Sequence, residues 1–321
     1  MIRDLLGRPL RNLRVSVTDR CNLRCSYCMP EAEYVWLPRY DILQFEEMST
    51  LIDVFARAGV DRVRLTGGEP LLRRDLPDLI RMIAQKSAIR DLALTTNGVM
   101  LGEYARQLHL AGLHRLTVSL DTLRPDRFQA LTRFDSLNQV LAGIDEAVNY
   151  FERIKLDAVI IRGINNDEIV PLLEYAKRIG GELRFIEYMD VGGATQWSPE
   201  RVMSRLEMLA VLANEYGPIT PIVEATSAPA DRFRLADGTI FGIISSTTEP
   251  FCSSCDRSRI TADGMWYRCL YATTGTDLRA PLRAGTSPDD LLKLITQEWT
   301  ARTDRGAEER LAVRDRSPLV P

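Results

Sequence analysis

Short β-rich apolar runs alternate along the chain with stretches whose apolar residues recur every three or four positions. The runs Arg14–Thr18, Arg62–Thr66, Asp91–Thr96, Arg115–Leu120, Lys155–Arg162 and Leu183–Tyr188 read as strands. Between and after them, Glu47–Gly59, Asp75–Gln85, Leu101–Gly112, Asn138–Phe151, Glu168–Ile179 and Ser198–Glu215 read as helices. Repeated strand–helix units predict parallel strands joined by crossover helices. Periodicity leaves open whether the sheet closes toward a barrel or lies doubly wound, but either places its chemistry at the carboxyl ends of the strands.

Beyond Tyr216 the pattern changes. Pro218, Pro221, Pro229 and an Ala-Asp-Gly turn at 236–238 punctuate short β-like runs. Asp263–Gly264 sits between Arg257–Thr261 and Met265–Leu270 and predicts a hairpin. The expected organisation is a β/α region over 1–215 and a smaller β-containing region over 216–321. The second ends in a helix around Pro288–Thr300 and a charged, partly mobile tail from Arg302 to Pro321.

A chain of 321 residues suits one large domain with an appendage. Its net charge of −3 argues against a nucleic-acid or membrane-surface partner. No stretch approaches the roughly 20 apolar residues of a membrane span, and Met1–Leu10 lacks the apolar core of a secretion signal. A cytoplasmic, reducing setting is therefore expected. There, clustered cysteines are metal ligands more often than disulfides, and His109 and His114 are the only histidines available to assist.

The six cysteines form two triplets. Cys21, Cys25 and Cys28 lie in the loop after the first strand. A 4Fe-4S cluster held by three thiolates keeps one iron open for another ligand, whereas structural zinc wants four closed ligands. Cys252, Cys255 and Cys269 again number three. They read either as a zinc ribbon lacking a ligand or as a second cluster with its own open iron. The two triplets consume every cysteine, so neither can be completed from elsewhere.

Cations form a further pattern. Strands of buried parallel sheets are usually apolar throughout, yet Arg14, Arg64, Lys155 and Arg184 lie on predicted strands or their edges. They face solvent or an anionic ligand. Arg257 and Arg259 alternate, so they share one strand face, either a solvated hairpin face or part of a site.

The Cys-x3-Cys-x2-Cys spacing, with Tyr27 before the third cysteine, resembles the radical SAM superfamily. Adding Cys252-x2-Cys255-x13-Cys269, the chain resembles the GTP 3′,8-cyclase family. The segments that carry this likeness are Ser16–Cys21, Leu65–Pro70, Thr95–Gly98, Val118–Asp121, Arg184–Asp190 and Phe251–Arg259. The resemblance implies a partial (β/α)6 TIM-like barrel, two 4Fe-4S clusters and S-adenosyl-L-methionine (SAM) on the open iron of the first. It implies that a 5′-deoxyadenosyl radical abstracts the ribose 3′ hydrogen of GTP and that C3′ then bonds to C8. The product is 3′,8-cyclo-7,8-dihydro-GTP, the first intermediate of molybdenum cofactor biosynthesis. By the same resemblance Tyr27, Gly68 with Glu69, Ser119 and Met189 meet SAM. Arg14, Arg64, Thr95 (rather than Thr96), Lys155, Arg184, Arg257 and Arg259 meet GTP, with Arg14, Arg257 and Arg259 nearest the reacting carbons. A reductant, a downstream cyclic pyranopterin monophosphate synthase and a homodimeric state are likewise implied. Family members end in Gly-Gly, and this chain ends Arg316-Ser-Pro-Leu-Val-Pro321, so the likeness departs at the tail. The rival readings are a peptide-modifying radical SAM enzyme, which usually carries more C-terminal cysteines, and a non-catalytic iron–sulfur protein.

Overall fold

The computed structural model describes residues 1–190, 197–224 and 226–312. Its strands are β1 (Asn12–Ser16), β2 (Arg62–Thr66), β3 (Asp91–Thr96), β4 (Arg115–Ser119), β5 (Lys155–Ile160), β6 (Glu182–Glu187), β7 (Thr220–Ile222), β8 (Asp231–Arg234), β9 (Ile240–Ile244), β10 (Arg257–Ile260), β11 (Met265–Tyr267) and β12 (Thr276–Asp277). The helices are α1 (Phe45–Ala58), α2 (Leu76–Ala84), α3 (Leu101–Leu110), α4 (Pro125–Thr132), α5 (Leu137–Ala147), α6 (Ile169–Arg178), α7 (Arg205–Tyr216), α8 (Arg279–Arg283), α9 (Pro288–Thr300) and α10 (Gly306–Ala312).

Among the described residues all the strands join one sheet in the order β12-β11-β10-β1-β2-β3-β4-β5-β6-β9-β8-β7. From β10 through β1–β6 to β9 every neighbouring pair is parallel. Antiparallel hairpin strands cover both edges, and the sheet does not close. The residues after Tyr216 thus extend both edges of the β/α sheet, with β10 beside β1 and β9 beside β6.

The sheet is nevertheless strongly curled. Asp157 on β5 acts electrostatically on Arg14 of β1, and Arg184 of β6 acts on Arg64 of β2. Four flat strand spacings would separate such residues by about 19 Å. The architecture is therefore a partial barrel with helices outside, which settles the choice that periodicity left open.

Alternation explains how charged residues fit its strands. One face of β1–β6 presents Leu13, Val63, Leu94, Val118, Leu156 and Phe185, each no more than 1% exposed, to the helical layer. The opposite, concave face carries the arginines, threonines and carboxylates. Helix α1 seals one flank, with Phe55 edge-on to Trp266 of β11 at 5.4 Å.

Among the elements that depart from expectation, three stand out. Helix α4 was not foreseen, because only Phe128, Leu131 and Thr132 of its eight residues are buried and no apolar period is legible. The stretch 198–215 is divided: α7 starts at Arg205 behind a capping box of Ser204 and Glu207. Helix α10 occupies Gly306–Ala312, an ordered part of the tail expected to be partly mobile, and Arg310 there pairs with Asp190 just after β6 at 2.7 Å. Residues 313–321, including the chain end where the Gly-Gly comparison falls, lie outside the described residues.

Candidate functional site: two cysteine loops flanking a cationic cleft

The first cysteine loop leaves the carboxyl end of β1 and is built onto its neighbours by backbone contacts. Gly68 N–H donates to the Thr18 carbonyl at 2.9 Å and Glu69 N–H to the Arg20 carbonyl at 2.7 Å. A β-carbon at Gly68 would overlap the Arg20 carbonyl, so glycine is required there for the turn to lie against the loop leading into Cys21. The buried Glu69 carboxylate accepts from Leu71 N–H (3.0 Å) and the Thr96 hydroxyl (2.7 Å) on one oxygen, and from Asn97 N–H (2.7 Å) on the other. It therefore clamps the ends of β2 and β3 together. Asn97 in turn donates to the Asn22 side chain at 2.7 Å and approaches Cys21 Sγ at 3.9 Å. Arg24 ties back the Cys21 and Leu23 carbonyls, both at 2.9 Å, and its guanidinium lies 5.4 Å from the ring centres of Tyr34 and Trp36. The Tyr27 hydroxyl donates to Asp121, whose other oxygen accepts from Val159 N–H at 2.8 Å.

All six cysteines are free thiols. In the first triplet burial pushes Cys21 and Cys25 up and Cys28 to about 11, and Cys25 feels the charge of both other cysteines. In the second, burial raises Cys252 and brings Cys269 to about 11. Burial alone would also raise Cys255, but Arg257 and Arg302 beside it bring it below its ordinary value. A β-carbon at Gly306 would stand 2.8 Å from Cys269 Sγ, so the start of α10 leaves that sulfur uncrowded. Among the described residues no three His, Cys, Asp or Glu side chains gather as a single metal ion would need. Within each triplet the cysteines lie near enough to act on one another electrostatically, and three thiols too widely spaced for one small ion suit a larger cluster better than zinc.

Between the two loops runs a row of arginines. In register, Arg259 of β10 lies beside Arg14 of β1, and Arg14 beside Arg64 of β2. Arg257 belongs to the same face, one row below, and sits over the Phe251 ring at 4.5 Å. Arg14 is reachable by solvent yet surrounded by protein, as at the floor of a cleft. Burial, followed by Arg64, Arg259 and Arg257, pushes its guanidinium down to about 9. Arg64 falls to about 10 through burial and then Arg184, and it donates to the Thr95 and Thr117 hydroxyls at 2.9 and 3.1 Å. Among the described residues none of Arg14, Arg64, Arg257 and Arg259 forms an ion pair with a carboxylate. Lys155 and Arg184 do: Lys155 binds Glu182 at 2.6 Å, and Arg184 grips Asp157 with both nitrogens at 2.6 and 2.8 Å.

The structure thus brings Arg14, Arg64, Thr95, Arg257 and Arg259 onto one wall of the concave face. It places Lys155 and Arg184 on the opposite wall with their counter-ions. Gly68 follows β2, Ser119 ends β4 and Met189 follows β6, all at carboxyl ends around the first cysteine loop. Sequence reasoning had not singled out Asn97, Thr117, Asp121, Asp157 or Glu182. Asn97 and Asp121 lie inside motif segments already noted, and Asp157 stands two residues from Lys155 on one strand, so period-two reading could have found it.

Glu69 supplies a pH signature. Burial, partly offset by its hydrogen bonds, raises its carboxyl from 4.5 to about 7. Its folded pKa exceeds the unfolded one, so its contribution to stability is complete below the unfolded pKa and is lost as pH rises through the folded one. The loss is on the order of 3 kcal/mol. Glu69→Gln should therefore flatten the dependence of the apoprotein's thermal midpoint between about pH 4.5 and pH 7, at a pH-independent cost of about 1 kcal/mol for a mismatched acceptor. An unchanged slope refutes the assignment.

A curled β/α sheet with three cysteines in the loop after its first strand and glycines after its second defines a radical SAM protein, and the radical SAM superfamily profile matches residues 15–176. The profile described as Molybdenum Cofactor Synthesis C matches residues 181–308. The chain belongs to the GTP 3′,8-cyclase family. It is 54% identical to GTP 3′,8-cyclase 3 of Mycobacterium bovis over 100% of this chain and 86% of that protein. It is 48% identical to the GTP 3′,8-cyclase of Acidothermus cellulolyticus (96% and 88% covered) and 42% identical to that of Staphylococcus aureus (97% and 94% covered). Among solved structures, Streptococcus suis SuiB bound to S-adenosylmethionine superposes with a TM-score of 0.66 at 14% identity, covering 94% of this chain and 68% of that one. At that identity the likeness extends to the fold alone.

Proposed function

We propose that the cleft joins two half-sites, one for SAM at Cys21, Cys25 and Cys28, the other for GTP between the arginine row and Cys252, Cys255 and Cys269. The activity is GTP 3′,8-cyclisation, a radical SAM lyase reaction that opens molybdenum cofactor biosynthesis. The observation that carries this reading is the row Arg259–Arg14–Arg64, cations without counter-ions held between two open cysteine triplets. Such crowding destabilises an empty site and is relieved by a polyanion.

When bound, the first cluster and SAM supply the radical that removes the ribose 3′ hydrogen. The protein's contribution is placement. Gly68 fixes the first cysteine loop by close backbone approach, and Tyr27, tied to Asp121, holds the loop's third-cysteine end against β4 and β5. Ser119 and Met189 border the same space. Arg14 and Arg64 face the phosphates or ribose, with Thr95 oriented by Arg64. Arg257 and Arg259 reach the substrate from the second-triplet side. Lys155 and Arg184, already paired, set the shape of the far wall and can exchange partners with phosphate. Residues 1–215 supply the SAM half and 216–321 the auxiliary-cluster half. A cytoplasmic setting, a reductant, a homodimer and a cyclic pyranopterin monophosphate synthase that consumes the product complete the proposal. No helix among the described residues is long and apolar enough to cross a membrane.

The test uses the anaerobically reconstituted chain with SAM, reductant and GTP deuterated at the ribose 3′ position. The expected result is GTP-dependent SAM cleavage, deuterium in 5′-deoxyadenosine and an isomer of GTP. SAM cleavage indifferent to GTP, with unlabelled 5′-deoxyadenosine, defeats the proposal.

A further inference from the structure

The N-terminal segment passes beneath the second cysteine loop, joined to it by two arginines that are each 2% exposed, Arg8 and Arg302. Arg8 donates to the Cys252 carbonyl at 3.0 Å and to the Asp304 carbonyl at 2.8 Å, while its Nε pairs with Asp4 at 2.5 Å. Arg302 donates to the Cys255 carbonyl at 3.0 Å and holds the Asp304 carboxylate at 3.0 and 3.1 Å. It lies 3.7 Å from Asp4, and its charge acts on the Cys255 thiol. Trp299 lies under Arg302, 4.6 Å from guanidinium to ring centre, and gives its indole N–H to the Arg8 carbonyl at 3.2 Å.

Burying charge in this way is costly, and apolar packing of similar volume usually stabilises a fold as well. A purely structural account leaves unexplained why two guanidinium groups converge on two of three cysteines. Hydrogen bonds to ligand sulfurs and fixed positive charge nearby are the means by which a protein sets the potential of an iron–sulfur cluster. Arg257 and Arg302 thus approach Cys255 together, Arg257 on the arginine row and Arg302 in the buried network.

We propose that Arg302, backed by Asp4 and Arg8, is a positioning residue for the iron–sulfur cluster of the second triplet. It fixes the Cys252–Cys255 loop through the Cys255 carbonyl, keeps a guanidinium charge beside that cysteine, and holds that cluster at a more positive potential than the loop alone would give. The proposal rests on Cys252, Cys255 and Cys269 being cluster ligands.

The experiment is a redox titration of the anaerobically reconstituted full chain, followed by electron paramagnetic resonance, on the unaltered protein, Arg302→Gln and Arg302→Lys. Chelator-driven iron release is measured in parallel. The unaltered protein should hold about eight irons, four per cluster. In Arg302→Gln one midpoint should move to more negative potential and one cluster should lose iron faster, the other being unmoved. Arg302→Lys, which keeps the charge but not the fork, should move it less. If Arg302→Gln does not fold, Arg302→Lys decides on the same criterion. Unmoved midpoints and release rates with eight irons present overturn the positioning role. Four irons in the unaltered protein overturn the cluster assignment itself, and the inference with it.

Discussion

Cys25→Ser should end SAM cleavage altogether, whereas Cys269→Ser should keep SAM cleavage and lose the cyclised product. The asymmetry follows from the two loops. Cys25 lies close to Cys21, Cys28 and Asp121 beyond the carboxyl end of β1, and among the described residues Cys21, Cys25 and Cys28 are the thiols of that loop. Serine oxygen is a poor substitute for a soft thiolate, and two remaining sulfurs cannot hold a 4Fe-4S cluster. Bound iron should fall from about eight to about four in either variant. The remaining four sit with the substrate half in Cys25→Ser and with the SAM half in Cys269→Ser. Cleavage in Cys269→Ser should also lose its dependence on GTP. Iron analysis together with 5′-deoxyadenosine assay checks both. Retained turnover in Cys25→Ser refutes the assignment of the first triplet, and normal product from Cys269→Ser refutes that of the second. A non-catalytic iron–sulfur protein would show no such difference.

Much of the β/α region was legible because apolar alternation and crossover helices leave strong local signals. Strands β2 and β3 have the boundaries read from the chain, and α9 begins and ends where Pro288 and Thr300 stand. Strand β1 starts two residues earlier than read, since Asn12 is polar and pairs with Asp256 at 2.6 Å, a partner no local pattern reveals. The same distance in sequence hid the main topological fact. The parallel pairing of Asn12 with Arg257 and of Arg14 with Arg259 joins segments more than 240 residues apart. The hairpin after Cys255 was read correctly as a hairpin, but what it packed against was not written in it. The cysteines and most arginines announced themselves through spacing or through charge where apolar residues belong. Their supports did not. Asp4, Arg8 and Arg302 look like ordinary surface residues in a linear chain, and only tertiary burial distinguishes them.

Arg14→Met should weaken GTP binding and at the same time make the empty protein more stable. Arg14 stands between Arg259 and Arg64, and its guanidinium is depressed to about 9 by burial and then by those like charges. A depressed cation in the folded state means that, below that pH, folding works against the charge; removing it relieves the strain. Arg14 remains accessible to water, so solvent screening reduces the gain to about 1 kcal/mol, or a rise of roughly 1–2 °C in the thermal midpoint of a chain this size. Loss of a charge-assisted contact to phosphate should cost about 1.5–3 kcal/mol, roughly 10- to 100-fold in affinity. Lys155→Met should behave oppositely in the empty protein, because it strips Glu182 of a partner at 2.6 Å and leaves Arg232, at 3.1 Å, as the remaining counter-ion. It should destabilise while affecting GTP less. Thermal melts of the apoprotein and calorimetric titration with GTP separate the two. If Arg14→Met lowers the midpoint and leaves GTP affinity intact, the arginine row is structural and the substrate lies elsewhere. The opposed signs are the expected mark of a site whose repulsion is kept for its ligand.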